Sequence, residues 1–207
     1  MGRILMVVSL VVLALGVPPR AWAITATAEL RRYTDEVIRI LQDPRLTPAA
    51  RRAAVRDIAD EAFDVKETAR RVLGPHWQER TGAEQEEFVR VFHDFLEQTY
   101  LSRLDLYRGE RVRYVSERQD GERAVVHAMI VMRLGMEIPV ESRLLKRSGR
   151  WRVYDVLIEQ RSLVGSYRSQ FDRIIRTGSY AELVDRLKAH VERAAETTPR
   201  GATAPAR

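Results

Sequence analysis

The chain has no cysteine, which excludes a disulfide scaffold, a thiol nucleophile and thiolate metal ligation. Glycine and proline are sparse, 11 and 8 in 207 residues, so neither a collagen-like nor a low-complexity chain fits. Lysine is scarcer still: Lys66, Lys146 and Lys188 are the only lysines among 35 basic residues. The catalytic inventory is as thin. There is no G-x-S-x-G elbow, P-loop, G-x-G-x-x-G or HExxH pattern. Four histidines, at 76, 93, 127 and 190, form no i, i+4 pair and are too scattered to spell a metal site.

The residues present describe an exported globular chain. A hydrophobic content of 45% suits one domain with a sizeable core. Residues 1–23 read as a signal peptide: Arg3 is the positive start, Ile4 to Val17 the apolar run, and Ala21-Trp22-Ala23 a small-x-small cleavage site. At 14 residues the run is short for a permanent span, which needs about 20. Removing Arg3 and Arg20 leaves 33 basic against 29 acidic residues, a net charge of +4. On an exported protein that balance favours anionic lipid surfaces over nucleic acid.

Residues 24–196 read as one domain and 197–207 as a disordered tail. Leu30, Tyr33, Val37, Ile38 and Leu41 repeat at helical spacing, and Pro44 ends the run. Thr47-Pro48 opens a second helix as N-cap and N1, and Asp64 caps a third that stops at Gly74-Pro75. Thr81 to Glu84 forms a capping box before the stripe Phe88, Val91, Phe92, Phe95, Leu96, Tyr100 and Leu104. At Gly109 the period changes from 3.6 to 2. Four strands follow, over about 112–117, 123–132, 136–147 and 150–159, with turns at Asp120-Gly121, Gly135 and Ser148-Gly149. Two helices close the domain, from Ser162 to Arg176 and from a second capping box at Ser179 to about Ala195.

This order predicts an α+β fold around a four-stranded antiparallel meander. The strand at 123–132 is apolar on both faces apart from His127, which is expected as a buried, hydrogen-bonded histidine. Helices on both faces would explain that strand, and so would a curved sheet wrapped around an apolar cavity. His93 is expected at the boundary of its helix, pointing away from Asp94. Most carboxylates, such as Glu84, Glu86, Glu87 and Asp185, fall on solvated helix faces. Asp155 is the exception: inside an apolar strand, it is either a base with a raised pKa or a paired structural acid.

The C-terminal half carries Trp151-x-x-Tyr154-Asp155-Val156, Ile158-Glu159, Ser162-Leu163-Val164 and Tyr167-Arg168-Ser169-Gln170-Phe171. The N-terminal half carries Leu73-Gly74, Trp77, Gln85, Phe88, Phe92, Phe95-Leu96, Tyr100 and Tyr107-x-Gly109 in order. This ordered set, over roughly 28 to 190, resembles the MlaC (toluene-tolerance) family. The resemblance implies a periplasmic phospholipid carrier with helices and sheet forming a cone, its apolar cavity holding acyl chains. It implies as partners an inner-membrane ABC transporter with an MCE-type subunit and an outer-membrane lipoprotein–porin complex, with no cofactor and no catalysis.

On that reading the lining candidates are Phe92, Phe95, Leu96, Val126, Ile130, Val140, Leu144, Val156, Ile158, Leu163 and Tyr167. The family pattern Glu-Gly-aliphatic-Ser-Leu is replaced here by Glu159-Gln160-Arg161-Ser162-Leu163. Arg161 either turns outward toward a phosphate at the mouth or narrows the cavity and changes the cargo, for instance to a hopanoid-like lipid. Two rivals stand beside the carrier: a small-pocket enzyme using Asp155, and an adaptor with a solid core.

Overall fold

In the computed structural model residues 24–197 are described, with side chains to 194. The expected leader and the tail beyond Thr197 lie outside that range. Three helices come first: α1 (Ala26–Gln42), α2 (Pro48–Ala62) and α3 (Val65–Leu73). Each starts where a side-chain oxygen meets an unpaired amide. Thr25, Thr47 and Asp64 accept from Ala28, Ala50 and Glu67 respectively. A short 3-10 turn over Gly74–Trp77 leads to α4 (Gly82–Leu101), whose reciprocal Thr81–Glu84 box is fully formed. The helix ends at Leu101, and Leu104 falls in a separate 3-10 turn.

The sheet is a meander of five strands, β1 (Arg111–Asp120), β2 (Arg123–Val131), β3 (Glu137–Arg147), β4 (Arg150–Ile158) and β5 (Arg161–Ser162), in the order 1-2-3-4-5. The fifth strand departs from the expected four. Glu159 and Gln160 both take positive φ (49° and 65°), and this two-residue turn folds Arg161–Ser162 back on Leu157 and Ile158. Ser148 and Gly149 (φ 49° and 83°) make the same kind of turn between β3 and β4. Bulges interrupt the ladders near Val115 and Tyr154. The chain closes with α5 (Leu163–Thr177) and α6 (Tyr180–Thr197).

The buried apolar side chains do not form one continuous core. Helices α3 to α6 enclose a large cluster with Leu73, Trp77, Phe88, Phe92, Phe171 and Leu183 at its centre. A second cluster joins α1 to the sheet through Ala26, Ala124, Val126, Leu144, Trp151 and Val153. A third, smaller one joins α1 to α2 around Tyr33 and Ile58. Two polar contacts hold α1 on the sheet. The Glu117 carboxylate accepts from the Ala26 and Thr27 amides (3.3 and 2.8 Å), and Trp151 Nε1 donates to the Ile24 carbonyl (3.0 Å). A carboxylate at a helix N-terminus also meets the positive end of the helix dipole.

Candidate functional site: an apolar sheet face left open at one end

Side chains alternate along a strand, so Ala124, Val126, Ala128 and Ile130 of β2 share a face. Register places Leu144, Val140 and Ile138 of β3 on that face, with Val153, Val156 and Ile158 of β4 and Val112 and Tyr114 of β1. Where α1 covers it, the face is closed: Val126, Leu144 and Val153 are fully buried. Toward the β2–β3 turn the cover fails. Val112, Ile130, Ile138, Val140 and Val156 are only half-buried, and Ile158 is 50% exposed. The result is an apolar strip about one strand-half long without its full complement of neighbours.

The helical cluster supplies an aromatic ladder. Residues three and four apart on α4 align on one side of the helix, and Phe88 stacks on Phe92 (5.6 Å) and Phe92 on Phe95 (6.2 Å). Tyr167 of α5 meets Phe92 and Phe95 edge-on (5.8 and 5.4 Å), and Phe171 meets Phe88 and Phe92 likewise. At the end of the ladder the Tyr167 and Tyr100 hydroxyls lie 3.4 Å apart. Burial, reinforced by that hydroxyl contact, pushes the Tyr167 phenol well above its usual range, so it stays neutral.

Of the lining residues named from sequence, the structure brings Phe92, Phe95, Leu96 and Tyr167 together in the helical cluster. It brings Val126, Leu144 and Val156 together on the sheet. Ile130, Val140 and Ile158 extend the same sheet face by register. Leu163 opens α5 and is half-buried. Phe92, Val126 and Leu144 have essentially no accessible surface and serve as packed core in this state. Val112, Tyr114 and Ile138 were missed, although strict alternation from their cross-strand partners would have included them.

Asp155 is an anchor. Its Oδ1 accepts from the Val164 amide (3.1 Å) and its Oδ2 from the Ser162 hydroxyl (2.7 Å), with Arg143 Nη1 at 3.5 Å. Ser162 Oγ in turn accepts from Gly165 N–H (2.8 Å) as the N-cap of α5. The acid in the apolar strand therefore fastens a helix start to β4, its oxygens already taken by protein donors. Arg161, beside it on β5, is exposed and forms no ion pair among the described residues. Its pairing with Ile158 puts it on the same sheet face as the apolar strip, at the strip's end.

The remaining polar groups differ from expectation at two points. His127 is exposed on the opposite sheet face, 3.9 Å from Glu141, because that face lacks helical cover there. His93 does contact Asp94 (3.5 Å), and its Nε2 meets Asp60 of α2 at 2.7 Å. His93, Asp94 and Glu97 could converge on a metal ion, but Glu97 is paired with Arg56 and His93 already has carboxylates at both nitrogens. On the outer sheet face a polar groove of about 630 Å³ is lined by Ser116, Arg118, Arg123, His127, Arg143 and Tyr154 among others. Val125 and Ala124 are its only aliphatic lining residues; the others are polar, charged or aromatic.

Comparison with known proteins gives a consistent placement. The family described as MlaC protein matches residues 31–189. A curated relative, the intermembrane phospholipid transport system binding protein MlaC of Haemophilus influenzae, is 23% identical over 124 residues. That alignment takes in 58% of this chain and 56% of the relative, so the chain spans little more than half that relative's length. Among solved structures, the phospholipid-binding protein from Ralstonia solanacearum, in complex with a phospholipid, matches with a TM-score of 0.71 at 26% identity. The match covers 82% of this chain and 98% of that one. With a family match that runs from residue 31 to 189, this chain belongs to the MlaC family.

Proposed function

We propose that the protein binds a phospholipid and carries it through the periplasm between the inner and outer membranes. The observation that carries this reading is the apolar sheet face that closes under α1 and runs open toward the β2–β3 turn, separate from the aromatic ladder of α4 and α5. An acyl chain laid along Ile130, Val140, Val156 and Ile158, with Phe95, Leu96, Leu163 and Tyr167 as the helical wall, would complete both surfaces. The phospholipid complex of the Ralstonia protein, which this chain matches over nearly its whole length, supports the same cargo. Arg161, exposed at the end of that strip, is suited to a lipid phosphate.

Energy sets the requirement. Exposing a 16-carbon tail to water costs roughly 12 kcal/mol at ~0.8 kcal/mol per methylene. A carrier must offer comparable apolar surface and needs no bond-making chemistry, which suits a chain whose buried acids are held as structural groups, Asp155 by Ser162 and Val164 and Glu29 and Glu67 by arginines. Among the described residues no helix is long and apolar enough to cross a membrane. Unloading then requires partners with competing lipid sites. In this reading they are an inner-membrane ABC transporter with an MCE-type subunit and an outer-membrane lipoprotein–porin complex, in a pathway that maintains outer-membrane lipid asymmetry.

The test is native mass spectrometry of the protein expressed with its own leader and purified from the periplasmic fraction without detergent, followed by solvent extraction. A stoichiometric diacyl phospholipid is expected. A hopanoid-like mass would replace the cargo, and an empty protein that also takes up no lipid from vesicles would overturn the carrier reading.

A further inference from the structure

The β2–β3 connection is a closed hairpin. Met132 N–H donates to the Met136 carbonyl and Gly135 N–H to the Met132 carbonyl, both at 2.9 Å. Gly135 takes φ +84°, as the last position of such a three-residue loop requires. The tip therefore holds its shape without tertiary cover, and it presents apolar side chains to solvent. Leu134 is 99% exposed and Met136 59%. Ile158 lies at the same end of the sheet, because Val140 pairs with Ile158 and Glu159 N–H donates to the Pro139 carbonyl.

Guanidinium groups surround these apolar residues. Arg133 stands in the loop itself, Arg111 pairs with Val131 at its base, and Arg161 pairs with Ile158. All three are exposed, and none forms an ion pair among the described residues. The nearby acids are largely spoken for: Glu137 holds Arg113 (2.6 Å) and Glu110 holds the Arg108 amide (2.8 Å). Among the described residues Glu110 and Glu159 are the nearby acids with no guanidinium partner, against three such arginines.

We infer that the β2–β3 hairpin tip is a membrane-docking element that inserts Leu134 and Met136 into the interfacial region of an anionic bilayer while Arg111, Arg133 and Arg161 engage lipid phosphates. Protruding apolar groups ringed by unpaired cations match the two attractions a charged lipid surface offers. A protein interface fits less well, since a stable one needs about 800 Å² per partner and is depleted of charge at its centre, whereas this tip offers two or three apolar side chains. The inference rests on the tip and is independent of the cargo. It would set the open end of the apolar strip against the membrane.

The experiment is flotation of the leader-processed protein with large unilamellar vesicles of 1:3 phosphatidylglycerol:phosphatidylcholine, and with pure phosphatidylcholine, at low salt and in 0.5 M NaCl. Co-flotation with the anionic vesicles alone, weakened by salt, is expected. Leu134→Asp should lower partitioning about tenfold or more, and Arg133→Gln about fivefold. Val115→Asp, at another exposed apolar position on β1 away from the tip, should leave it unchanged. No flotation of the parent protein, or equal flotation of Leu134→Asp, would overturn the inference. So would a tip variant that fails only in delivery to a purified protein partner, which would assign the tip to protein recognition. Lipid extracted from Leu134→Asp separates the two readings: retained lipid with lost flotation leaves the carrier intact and locates the defect in docking.

Discussion

Replacing Asp155 tests whether the buried carboxylate fastens α5 to the sheet or does chemistry. Its two short bonds go to Ser162 Oγ (2.7 Å) and the buried Val164 amide (3.1 Å). Hydrogen bonds to a charged acceptor contribute about 1.5–3 kcal/mol each. Arg143, half-exposed and at 3.5 Å, adds little. Asp155→Ala strips both bonds and strands the Val164 amide in the interior, so a loss of ~3–4 kcal/mol is expected. For a chain of this size that corresponds to a fall of about 10 °C in Tm. Asp155→Asn keeps an acceptor for Val164 but must present an NH₂ toward a serine oxygen already occupied by Gly165, and should cost about 1–2 kcal/mol. Urea titration and calorimetry of both variants measure the effect, with lipid content followed alongside. An Asp155→Asn protein as stable as the parent would refute the anchoring role, and one that kept its stability but lost a measurable turnover would revive the enzyme reading.

Three other outcomes are expected. Gln160→Gly should raise stability by ~0.5–1 kcal/mol, because a side chain at φ 65° is strained there; a lower urea midpoint would contradict the turn geometry. Ile130→Asp, on a half-buried position of the strip, should strip co-purified lipid at under about 1.5 kcal/mol of stability, whereas Phe92→Ala should cost ~3–5 kcal/mol as a core truncation; equal behaviour of the two in lipid extraction and melting would sink that division. His93 is half-buried, which opposes its charge, but the Asp60 hydrogen bond and the nearby carboxylates outweigh this and raise its pKa above the usual 6.5. Its raised folded pKa means that the charge-linked part of the α2–α4 contact is fully present below about pH 6.5, the unfolded value, and is lost as pH rises through the higher folded value. Asp60→Asn should therefore destabilise the protein more at pH 5.5 than at pH 9, and NMR titration should show the His93 pKa falling.

What the sequence reveals and what it hides follow from the range of the interactions concerned. The caps at Thr47 and Thr81 and the turn at Ser148-Gly149 were legible because each is settled by residues within a few positions; the β1–β2 turn falls one residue later than expected, on Gly121-Glu122, with Asp120 paired to Arg123. The fifth strand was hidden because its turn uses Glu159 and Gln160, neither a typical turn residue, in left-handed backbone. His127 looked buried from its apolar neighbours, yet burial depends on whether a helix covers the outer face, and none does at that position. The His93–Asp60 contact joins residues 33 apart through helix packing. Within the candidate site, residue type selected the apolar positions, but only the placement of α1 separates Val126 and Leu144, which are sealed, from Ile130 and Val140, which are not.

The sheet is held along two adjoining sides, and Tyr114 of β1 adds a bond from its hydroxyl to Thr34 of α1 (2.9 Å). Strand β4 is fastened by the Asp155 bonds, by Asp64 N–H to the Val153 carbonyl and by Thr68 Oγ1 to the Tyr154 carbonyl; the end nearest the β1–β2 turn is fastened by α1 through Glu117 and Trp151. A plate clamped on two adjacent edges bends at the opposite corner. Here that corner is the β2–β3 hairpin with Arg111 and Val112 beside it, beyond the Tyr114–Thr34 contact, so the expected place for the interior to widen is there, with the caps and ladder bonds of β4 intact. Amide exchange should accordingly quicken first at residues 111–112 and 129–138, slow there when cargo is loaded, and stay nearly constant along 151–156.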